Sequence, residues 1–440
     1  MFFDRPESGE ATVLVHLDIS RYDNPEDPRE FEELVLSAQG DPVAFLRGNR
    51  VAPHPKYFIG SGKLEELREL VVLHQAKVVI FNHVLSPSQE RNLEKVIECR
   101  VLDRVGLILD IFAQRARTHE GKLQVELAQL RHISTRLIRG WTHLERQKGG
   151  IGLRGPGETQ LETDRRLLRI RIRSIEARLE KVRKQRQQGR RSRERAAIPT
   201  VSLVGYTNAG KSTLFNLMTK ANVYAENQLF ATLDPTMRRV EFPDIGPIVL
   251  ADTVGFISHL PHRLVEAFRA TLEEVSNADL LLHIVDSAAE NPSENIHHVE
   301  SVLKEIGADE RLTLKIFNKI DQIEDQKPRI ERDAEGVPQA VWLSAKDGLG
   351  VEHLMTAVSE LLATDILEER LHLPANRARL RAKLYEQNAV VSESYLDDGS
   401  SDIDLRLAKT EFMQLLSASN LNWDELDWRS NESKTSEASR

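Results

Sequence analysis

Residues 205–212 read GYTNAGKS, directly after the apolar stretch TVSLV and directly before the helix-like stretch TLFNLMTK. The pattern G-x-x-x-x-G-K-[ST] between a strand and a helix is the context that a phosphate-binding loop requires. Gly205 and Gly210 let the backbone curl so that its N–H groups face phosphate oxygens, and the next helix presents its positive N-terminus to the same anion. The segment therefore predicts a P-loop, in which Lys211 bridges the β- and γ-phosphates and Ser212 gives a hydroxyl to Mg²⁺.

Two further motifs predict which base is bound. NKID at 318–321 follows the apolar stretch TLKIF, and SAK at 344–346 follows AVWL. The Asp321 carboxylate can accept hydrogen bonds from the N1–H and 2-amino groups of guanine. Adenine has no donors there, so its binding would leave a desolvated carboxylate unpaired, at a cost of about 1–3 kcal/mol per group. With the backbone N–H groups of SAK facing the guanine oxygen, the pair of motifs favours guanine over adenine.

A fourth element is typical of a switch that senses the γ-phosphate. The tetrapeptide DTVG begins at Asp252 and ends at Gly255, after the apolar stretch IVLAD. Asp252 can hold Mg²⁺ through water, and the Gly255 N–H can bind the γ-phosphate and leave it after hydrolysis. Upstream, FATLDPT (230–236) offers a threonine for the second metal contact, and we prefer Thr232 to Thr236.

The order P-loop, threonine, DxxG and NKxD predicts a GTP-hydrolysing switch. We expect Lys211, Thr232 and Gly255 to act in catalysis, and Ser212, Thr232 and Asp252 (through water) to serve Mg²⁺. The predicted contacts to GTP or GDP are these residues together with others from five segments, namely the P-loop, FATLDPT, DTVG, NKID and SAK: Gly205, Tyr206, Thr207, Asn208, Ala209, Gly210, Phe230, Ala231, Leu233, Asp234, Thr253, Val254, Asn318, Lys319, Ile320, Asp321, Ser344, Ala345 and Lys346.

The regions around these motifs predict a multidomain α/β protein. Residues 198–365 alternate apolar strands with helices, which indicates a P-loop domain with a doubly wound, mostly parallel sheet. Residues 1–115 form a separate α/β subdomain, with strands predicted at 12–19 and 77–81 and helices predicted at 27–38, 63–74 and 87–98. A small α+β domain at 366–428 and a disordered polar tail at 429–440 complete the chain.

Residues 116–197 predict a basic antiparallel helical hairpin. Apolar residues recur at alternating spacings of four and three from Leu123 onward and again from Leu161 to Val182, which indicates a heptad seam on each arm. The glycine-rich tip at 149–157 lies between them, and each arm would reach roughly 40 Å. Between 165 and 195 there are 14 lysines and arginines against three acids, although the whole chain carries a net charge of −8.

A basic element on an acidic protein predicts a polyanionic partner at that element. The candidate residues for contact with RNA phosphates are arginines on both arms and the tip: Arg131, Arg136, Arg139, Arg154, Arg165, Arg166, Arg169 and Arg173. The hairpin can equally be a spacer whose charges are only solvated.

Composition narrows the setting of the protein. No apolar run approaches the roughly 20 residues that span a bilayer, and MFFDRPESGE does not resemble a secretory signal. The one cysteine, Cys99, favours a reduced compartment and a structural thiol. The stretch FIGSGK (58–63) has tyrosine at position 57, where a P-loop needs glycine, so it predicts a loop opening a helix. We expect a cytoplasmic monomer without a transmembrane segment, with peripheral membrane association left open.

The segment from 198 to 365 resembles a translation-factor-type GTPase of the Obg–HflX branch. GGIGLRGPGETQLETDRR (149–166) and FATLDPT are similar to the signatures of the HflX family in particular. The resemblance covers nearly the whole chain and is weakest in the last 70 residues. It implies a bacterial cytoplasmic GTPase that binds the large (50S) ribosomal subunit and its rRNA and helps to separate ribosomal subunits.

One residue departs from Ras-like chemistry. Phe256 follows DTVG, where Ras-type enzymes place the glutamine that orients the attacking water. Intrinsic hydrolysis should therefore be slow, and the missing group must come from elsewhere. A partner can complete the site, or Asn208 can help to hold K⁺ beside the phosphates, as in related GTPases with asparagine at this P-loop position.

Two other functions remain open from the sequence. The GTPase can act on a protein or on a membrane surface, with the hairpin as a docking arm. It can also use GTP to modify tRNA, but that reaction needs a second catalytic centre, and we find no reactive cysteine or cofactor motif for one.

Overall fold

The computed structural model describes residues 9–20, 27–137, 156–195, 198–220, 229–242, 245–258, 269–363, 366–387, 389–396, 398–408 and most of 412–429. The helices are α1 (Pro28–Ser37), α2 (Ser61–Leu73), α3 (Pro87–Ile97), α4 (Arg104–Arg115), α5 (His119–Leu137), α6 (Pro156–Arg195), α7 (Lys211–Thr219), α8 (Arg269–Ser276), α9 (Pro292–Glu305), α10 (Val351–Ala363) and α11 (Ala378–Glu386). The strands are β1 (Ala11–Ile19), β2 (Asp41–Arg50), β3 (Val78–Phe81), β4 (Arg100–Asp103), β5 (Thr200–Gly205), β6 (Thr236–Phe242), β7 (Gly246–Asp252), β8 (Leu280–Asp286), β9 (Thr313–Asn318), β10 (Arg329–Arg332), β11 (Pro338–Trp342), β12 (Ile366–Leu373), β13 (Val390–Tyr395), β14 (Ser401–Ala408) and β15 (Asp427–Arg429).

The N-terminal part is a parallel sheet in the order β2-β1-β3-β4, joined by helices. The two predicted strands and three predicted helices are confirmed within about two residues. Strands β2 and β4 and helix α4 were not predicted. Strand β2 reads DPVAFLRGNR and is mostly half-exposed at the edge of the sheet. Its apolar run, VAFL, is only four residues long, and a run this short does not distinguish a strand from part of a helix.

Helices α5 and α6 pack antiparallel. Arg178 contacts His119 at the start of α5, and Arg171 contacts Glu126, about two turns later in α5. Later residues of α5 thus contact earlier residues of α6, so the two helices run in opposite directions. The predicted seams meet in one cluster of buried residues: Leu123, Leu127, Leu130, Leu168 and Ile175. This packing buries the apolar face of two otherwise charged helices.

The returning arm differs from the prediction at its start and in its length. Helix α6 begins at Pro156, inside the predicted glycine-rich tip, because proline suits the first turn of a helix, where its missing N–H is not needed. Its 40 residues correspond to about 60 Å rather than 40 Å. The rest of the predicted tip, 149–155, and the end of the first arm lie outside the described residues.

The P-loop domain has a seven-stranded sheet in the order β10-β11-β9-β8-β5-β7-β6. The predicted, mostly parallel sheet is confirmed, and the two edge strands, β6 and β10, are antiparallel to their neighbours. The parallel strands β5, β7 and β9 end at the same edge of the sheet. Because β5 leads into the P-loop, β7 ends at Asp252 and β9 ends at Asn318, the three motifs meet there.

One apolar cluster joins the N-terminal sheet to the P-loop domain. It contains Leu34 and Phe112 from the N-terminal part and Phe230, Phe256 and Ile257 from the two switch segments, which are 229–236 (with FATLDPT) and 252–258 (with DTVG). Phe112 and Phe230 make an edge-to-face pair with ring centroids 4.7 Å apart. The switch segments are therefore packed between the two domains.

The C-terminal part is an antiparallel sheet in the order β13-β14-β12-β15, with α11 beside it. Its core includes Leu371, Leu384, Ile403 and Phe412. The sequence predicts that the disordered tail begins at residue 429, but Arg429 ends strand β15, because residues 427–429 pair with β12. The remaining tail residues, 430–440, lie outside the described residues.

The stretch FIGSGK and the residue Cys99 have the structural roles that the sequence predicts, a loop that opens a helix and a structural thiol. Helix α2 begins at Ser61, and Lys63 forms an ion pair with Glu66 at 2.8 Å. The thiol of Cys99 donates to the carbonyl oxygen of Ala76 at 3.3 Å, and burial raises its pKa to about 11.

Among the described helices, none combines the length and the apolar character needed to cross a membrane.

Candidate nucleotide-binding site

The P-loop has the backbone that its glycines predict. Gly205 has φ +149°, and a Cβ there would lie 2.3 Å from the carbonyl oxygen of Ile284. Gly210 has φ +95°, and a Cβ there would lie 2.2 Å from Nδ2 of Asn318. Both positions therefore require glycine, for conformation and for close approach. Asn208 also has a positive φ, +61°, which asparagine tolerates better than most residues.

Asn318 holds the base-binding loops against the P-loop. Its Nδ2 donates to the carbonyl oxygen of Ala209 at 2.8 Å, and its Oδ1 accepts from the N–H of Ala345 at 2.9 Å. Ser344 Oγ donates to Asp321 Oδ1 at 2.7 Å. The asparagine thus positions both loops, and the serine orients the carboxylate that is predicted to recognise guanine.

Lys211 is buried and lies across the P-loop. Its Nζ donates to the carbonyl oxygens of Gly205, at 3.1 Å, and Tyr206, at 2.6 Å. Burial lowers the pKa of Lys211 to about 8, and the Asp252 carboxylate opposes this shift. A partly desolvated ammonium interacts strongly with an anion, which suits a phosphate contact.

Three side-chain oxygens from three segments converge beside the P-loop. Ser212 Oγ lies 2.7 Å from Thr232 Oγ1 and donates to Asp252 Oδ2 at 2.7 Å, while Thr232 Oγ1 donates to the same oxygen at 3.2 Å. Burial raises the pKa of Asp252, and the hydrogen bonds from Ser212 and Thr232 oppose the shift. Within the described part of the chain, Asp252 Oδ1 is buried without a hydrogen-bond partner.

These oxygens fit Mg²⁺, which prefers hard oxygen ligands and usually keeps several waters. The unpartnered Asp252 oxygen is suited to bind one of those waters. Thr236 begins β6, where its backbone pairs with β7 in register with Asp252. The geometry therefore favours Thr232 over Thr236 as the switch threonine.

The predicted residues divide into those at the cavity and those that support it. The cavity between the P-loop and the switch segments is lined by Thr207, Asn208, Gly210, Lys211, Ser212, Thr213, Phe230, Ala231, Thr232, Thr253 and Gly255. The side chains of Leu233 and Val254 are instead buried in the apolar cluster between the domains, and the side chain of Ile320 is also buried. Lys319 Nζ pairs with Asp286 at 2.7 Å at the rim of the base site.

Asp234 is placed differently from the prediction. Its carboxylate accepts hydrogen bonds from the N–H groups of Arg117 and Thr118, each at 2.8 Å. The carboxylate is thus turned toward the start of the hairpin and does not line the cavity. The backbone N–H donors at the start of the hairpin satisfy its negative charge, which phosphate groups in the cavity would repel. The structure therefore does not bring the Asp234 side chain to the cavity, where the sequence predicts a nucleotide contact.

Phe256 turns away from the phosphates. Its backbone pairs with the P-loop, since Thr207 N donates to Phe256 O at 2.7 Å and Phe256 N donates to Gly205 O at 3.1 Å. Its side chain is only 1% exposed, within the apolar cluster between the domains. Backbone pairing of Phe256 therefore attaches the segment that follows DTVG to the P-loop. The side chain of Phe256 offers no polar group that could orient an attacking water.

A buried polar cluster behind the P-loop was not predicted. The hydroxyl of Tyr206 accepts from Ser258 N at 2.7 Å and contacts Glu30. Ser258 Oγ donates to Glu30 Oε1 at 2.7 Å, and Arg104 donates to Glu30 at 2.5 Å and to Ser258 O at 3.0 Å. No local sequence pattern marks these residues, because they come from four separate stretches of the chain.

The hairpin exposes a stripe of arginines. Arg166, Arg169 and Arg173 are spaced i, i+3, i+7, so they share one face of α6. All three are exposed, and none forms an ion pair with a residue that the structure describes. Arg165 is half-buried on the seam side of the helix. The three exposed arginines are placed as an RNA contact would require.

The other arginine candidates are placed less favourably. Arg131 pairs with Glu176 across the hairpin at 2.9 Å. Arg136, which the sequence predicts as an RNA contact, pairs instead with Glu90 at 2.7 Å and with the buried Asp103 at 2.8 Å, so it joins the hairpin to the N-terminal sheet. Arg139 and Arg154 lie outside the described residues.

Protein-family models match successive parts of the chain. They are the N-terminal part of a GTP-binding GTPase at 26–113, its middle region at 115–193, a 50S ribosome-binding GTPase at 200–319 and the HflX C-terminal domain at 329–418. Their order agrees with the succession of sheet, hairpin, P-loop domain and small C-terminal sheet.

Curated relatives are similar over most of their length. GTPase HflX of Escherichia coli (strain K12) is 59% identical over 94% of this chain and 97% of the relative. GTPase HflX of Magnetococcus marinus is 50% identical over 77% of this chain and 78% of the relative. Among solved structures, the SsGBP and GDP complex aligns at 23% identity with a TM-score of 0.46, over 80% of this chain and 99% of that chain.

Proposed function

The chain belongs to the HflX family of GTPases, and on that basis we propose that its GTP-bound form binds the large (50S) ribosomal subunit through the hairpin. Hydrolysis of GTP to GDP and phosphate then lowers the affinity for the subunit. The supporting match is the 50S ribosome-binding GTPase model over residues 200–319. The protein acts as a monomer in the bacterial cytoplasm.

The observation that carries this proposal is the arginine stripe of α6. Arg166, Arg169 and Arg173 follow one face of a long helix in a protein whose net charge is −8. An acidic protein is repelled by RNA unless its positive charge is concentrated at the contact. The stripe provides this concentration, since guanidinium groups at helical spacing suit the phosphates of an RNA groove.

The nucleotide site provides the switch. Lys211 and the P-loop amides hold the phosphates, Asp321 selects guanine, and the Gly255 N–H binds the γ-phosphate. Ser212 and Thr232 would hold Mg²⁺ with their hydroxyls and Asp252 would hold it through water, and the ion would supply positive charge that offsets the charge of the phosphates during hydrolysis. Loss of the γ-phosphate removes contacts at Gly255 and Thr232, so both switch segments can respond to hydrolysis.

Co-sedimentation with purified 50S subunits tests the proposal. We expect pelleting with a non-hydrolysable GTP analogue, little pelleting with GDP, and steep weakening as salt rises. The triple variant Arg166→Gln/Arg169→Gln/Arg173→Gln should lose binding while it keeps its affinity for GTP. A matched variant with the same charge change further along α6, Lys181→Gln/Lys184→Gln/Arg191→Gln, should lose less.

Equal pelleting in the GDP and GTP-analogue states would contradict the proposal, as would full binding by the Arg166/Arg169/Arg173 variant. Sucrose gradients of intact ribosomes then separate two tasks. Conversion of 70S particles into subunits under the GTP analogue would indicate ribosome splitting and rescue. Binding to free 50S subunits without such conversion would indicate a role in biogenesis.

A second function has one observation in its favour. Leu167 and Ile170 are each 54% exposed beside the arginine stripe, and exposed apolar side chains flanked by positive charge also suit a protein or an anionic membrane surface. Flotation with vesicles containing anionic lipid tests the membrane form of this alternative. Flotation together with absent pelleting of ribosomal subunits would favour it over the ribosome.

A further inference from the structure

The carboxylate of Asp234 is bound by the chain segment that opens the hairpin. Oδ2 accepts from the backbone N–H groups of Arg117 and Thr118, each at 2.8 Å, and Oδ1 accepts from the Thr118 hydroxyl at 2.5 Å. These donors lie 116 to 117 residues away along the chain. Hydrogen bonds to an ionised acceptor are stronger than those between neutral groups, so this contact fixes the carboxylate in place.

The donors are at the N-terminus of α5. Thr118 Oγ1 also accepts from Gly121 N at 2.9 Å, and Thr118 O accepts from Lys122 N at 3.0 Å, so Thr118 caps the first turn. A negative charge at this end of a helix is favourable because the N-terminal N–H groups carry partial positive charge. Asp234 therefore completes the cap of α5 from outside the helix.

The approach of the carboxylate to the helix depends on a glycine. A Cβ added to Gly121 would lie 2.0 Å from Oδ1 of Asp234 and 2.9 Å from its Cγ. Gly121 lies within α5, where alanine would otherwise be favoured. The sequence thus has glycine at the one point of the first turn where the switch carboxylate comes closest.

Asp234 follows the switch threonine by two residues. Thr232 Oγ1 lies 2.7 Å from Ser212 Oγ, and Leu233 between them is 2% exposed in the core. At the other end of the segment, Leu229 N donates to Ser37 Oγ at 3.1 Å, and Phe230 packs on Phe112. The segment from 229 to 234 is therefore attached at both ends to the N-terminal half of the chain, with Thr232 between the attachments.

We propose that Asp234 is a positioning residue for GTP hydrolysis, and that it holds Thr232 at the metal site by anchoring the switch segment to the start of α5. The carboxylate does not line the nucleotide cavity, so its effect on Thr232 is carried by the backbone of residues 232–234. The inference goes beyond ribosome binding, because it concerns hydrolysis by the isolated protein.

The first test replaces Asp234 with alanine and measures steady-state GTP hydrolysis by the full chain without ribosomes. We expect kcat to fall about tenfold, the effect of losing one strong positioning contact. Affinity for GDP should stay within about twofold, because GDP lacks the γ-phosphate that is sensed together with Thr232. The preference for a GTP analogue over GDP should fall with kcat, which general destabilisation would not cause.

The second test uses the glycine. Gly121→Ala should displace the carboxylate and lower kcat as Asp234→Ala does, whereas Gly189→Ala, the same change within α6 where a Cβ meets nothing within 4 Å, should leave kcat unchanged. In Asp234→Ala the clash is absent, so adding Gly121→Ala should cause no further loss. This non-additivity identifies the contact itself.

The proposal is overturned if folded Asp234→Ala retains both kcat and the analogue-to-GDP preference within twofold. It is also overturned if the effects of Gly121→Ala and Asp234→Ala multiply in the double variant. Circular dichroism and GDP binding establish that each variant is folded before its rate is compared.

Discussion

The hydroxyl of Tyr206 in the P-loop accepts a hydrogen bond from the backbone N–H of Ser258, three residues beyond Gly255, at 2.7 Å. The same hydroxyl contacts Glu30 of the N-terminal part. Burial and the Glu30 carboxylate raise the pKa of Tyr206 above its ordinary value, so the hydroxyl stays protonated. One side chain of the P-loop thus joins the second switch segment to the neighbouring domain.

Replacing Tyr206 with phenylalanine should destabilise the protein. The change leaves the buried Ser258 N–H and a Glu30 oxygen without their partner, at a cost of about 1–3 kcal/mol in the free energy of unfolding. Urea unfolding measures this cost. Tyr385→Phe is the matched control, since that hydroxyl also donates to a glutamate, Glu393, but the side chain is 46% exposed. The control should change stability by less than about 0.5 kcal/mol. A loss for Tyr206→Phe that is no larger than about 0.5 kcal/mol would show that the buried contact contributes little to stability.

Guanine selectivity should depend on Asp321. Asp321→Ala removes two charge-assisted hydrogen bonds to the base, each contributing about 1.5–3 kcal/mol, so GTP should bind at least about a hundredfold more weakly. Fluorescent-nucleotide titration measures the affinity. Ser344→Ala removes only the hydroxyl that donates to Asp321 at 2.7 Å and should cost less than about tenfold. Unchanged GTP affinity in Asp321→Ala would refute the assignment of the base site.

Potassium should accelerate hydrolysis if Asn208 holds a cation beside the phosphates. Asn208 lines the cavity together with Lys211 and Ser212, and its φ of +61° is one that asparagine tolerates. We expect faster GTP hydrolysis in KCl than in NaCl at equal ionic strength, and loss of the difference in Asn208→Ala. Equal rates in the two salts would exclude a potassium site and leave a macromolecular partner as the source of the missing catalytic group.

Stability should fall in mild acid because of His283. This residue is 1% exposed on β8, and burial, assisted by Lys315 and Lys211, lowers its pKa to about 4. The unfolded chain, with an ordinary pKa of about 6.5, binds the proton more readily between these values. The free energy of unfolding is therefore unaffected by protonation of His283 above about pH 6.5. It decreases as the pH falls from about 6.5 toward 4, by about 3 kcal/mol at most, because the unfolded chain binds the proton first.

His283→Leu should flatten this dependence. Thermal unfolding between pH 7 and pH 4.5 should show a smaller drop in Tm for His283→Leu than for the unaltered chain. His297→Leu changes an exposed histidine and should keep the original profile. If His283→Leu loses as much stability in acid as the unaltered chain, the acid sensitivity has another origin.

The sequence predicted those parts of the fold where local pattern and global position agree. The P-loop, DTVG and NKID each follow an apolar strand, and parallel strands bring their ends to one edge. The two heptad seams likewise predicted that Leu127, Leu130 and Ile175 are core residues, and the three lie in one buried cluster. Each of these patterns lies within a short stretch of sequence, so it can be recognised before the tertiary fold is known.

What the sequence did not predict are the contacts between domains. Asp234 lies in a motif next to the switch threonine, and proximity along the chain suggested a nucleotide contact, but the helix cap at Thr118 provides better partners for its charge. The sequence predicts that Arg136 of the hairpin contacts RNA phosphates, but it forms ion pairs with Asp103 and Glu90. The partner of a charged side chain depends on packing across more than 30 residues of chain, which periodicity does not encode.

The most direct test of the account is the single-turnover rate of GTP hydrolysis with and without purified 50S subunits. Because Phe256 is buried away from the phosphates, the isolated protein should hydrolyse GTP slowly. The 50S subunit should raise the rate at least about tenfold, and the Arg166/Arg169/Arg173 variant should lose that stimulation. An equal rate with and without subunits, for a protein that binds GTP normally, would contradict the account.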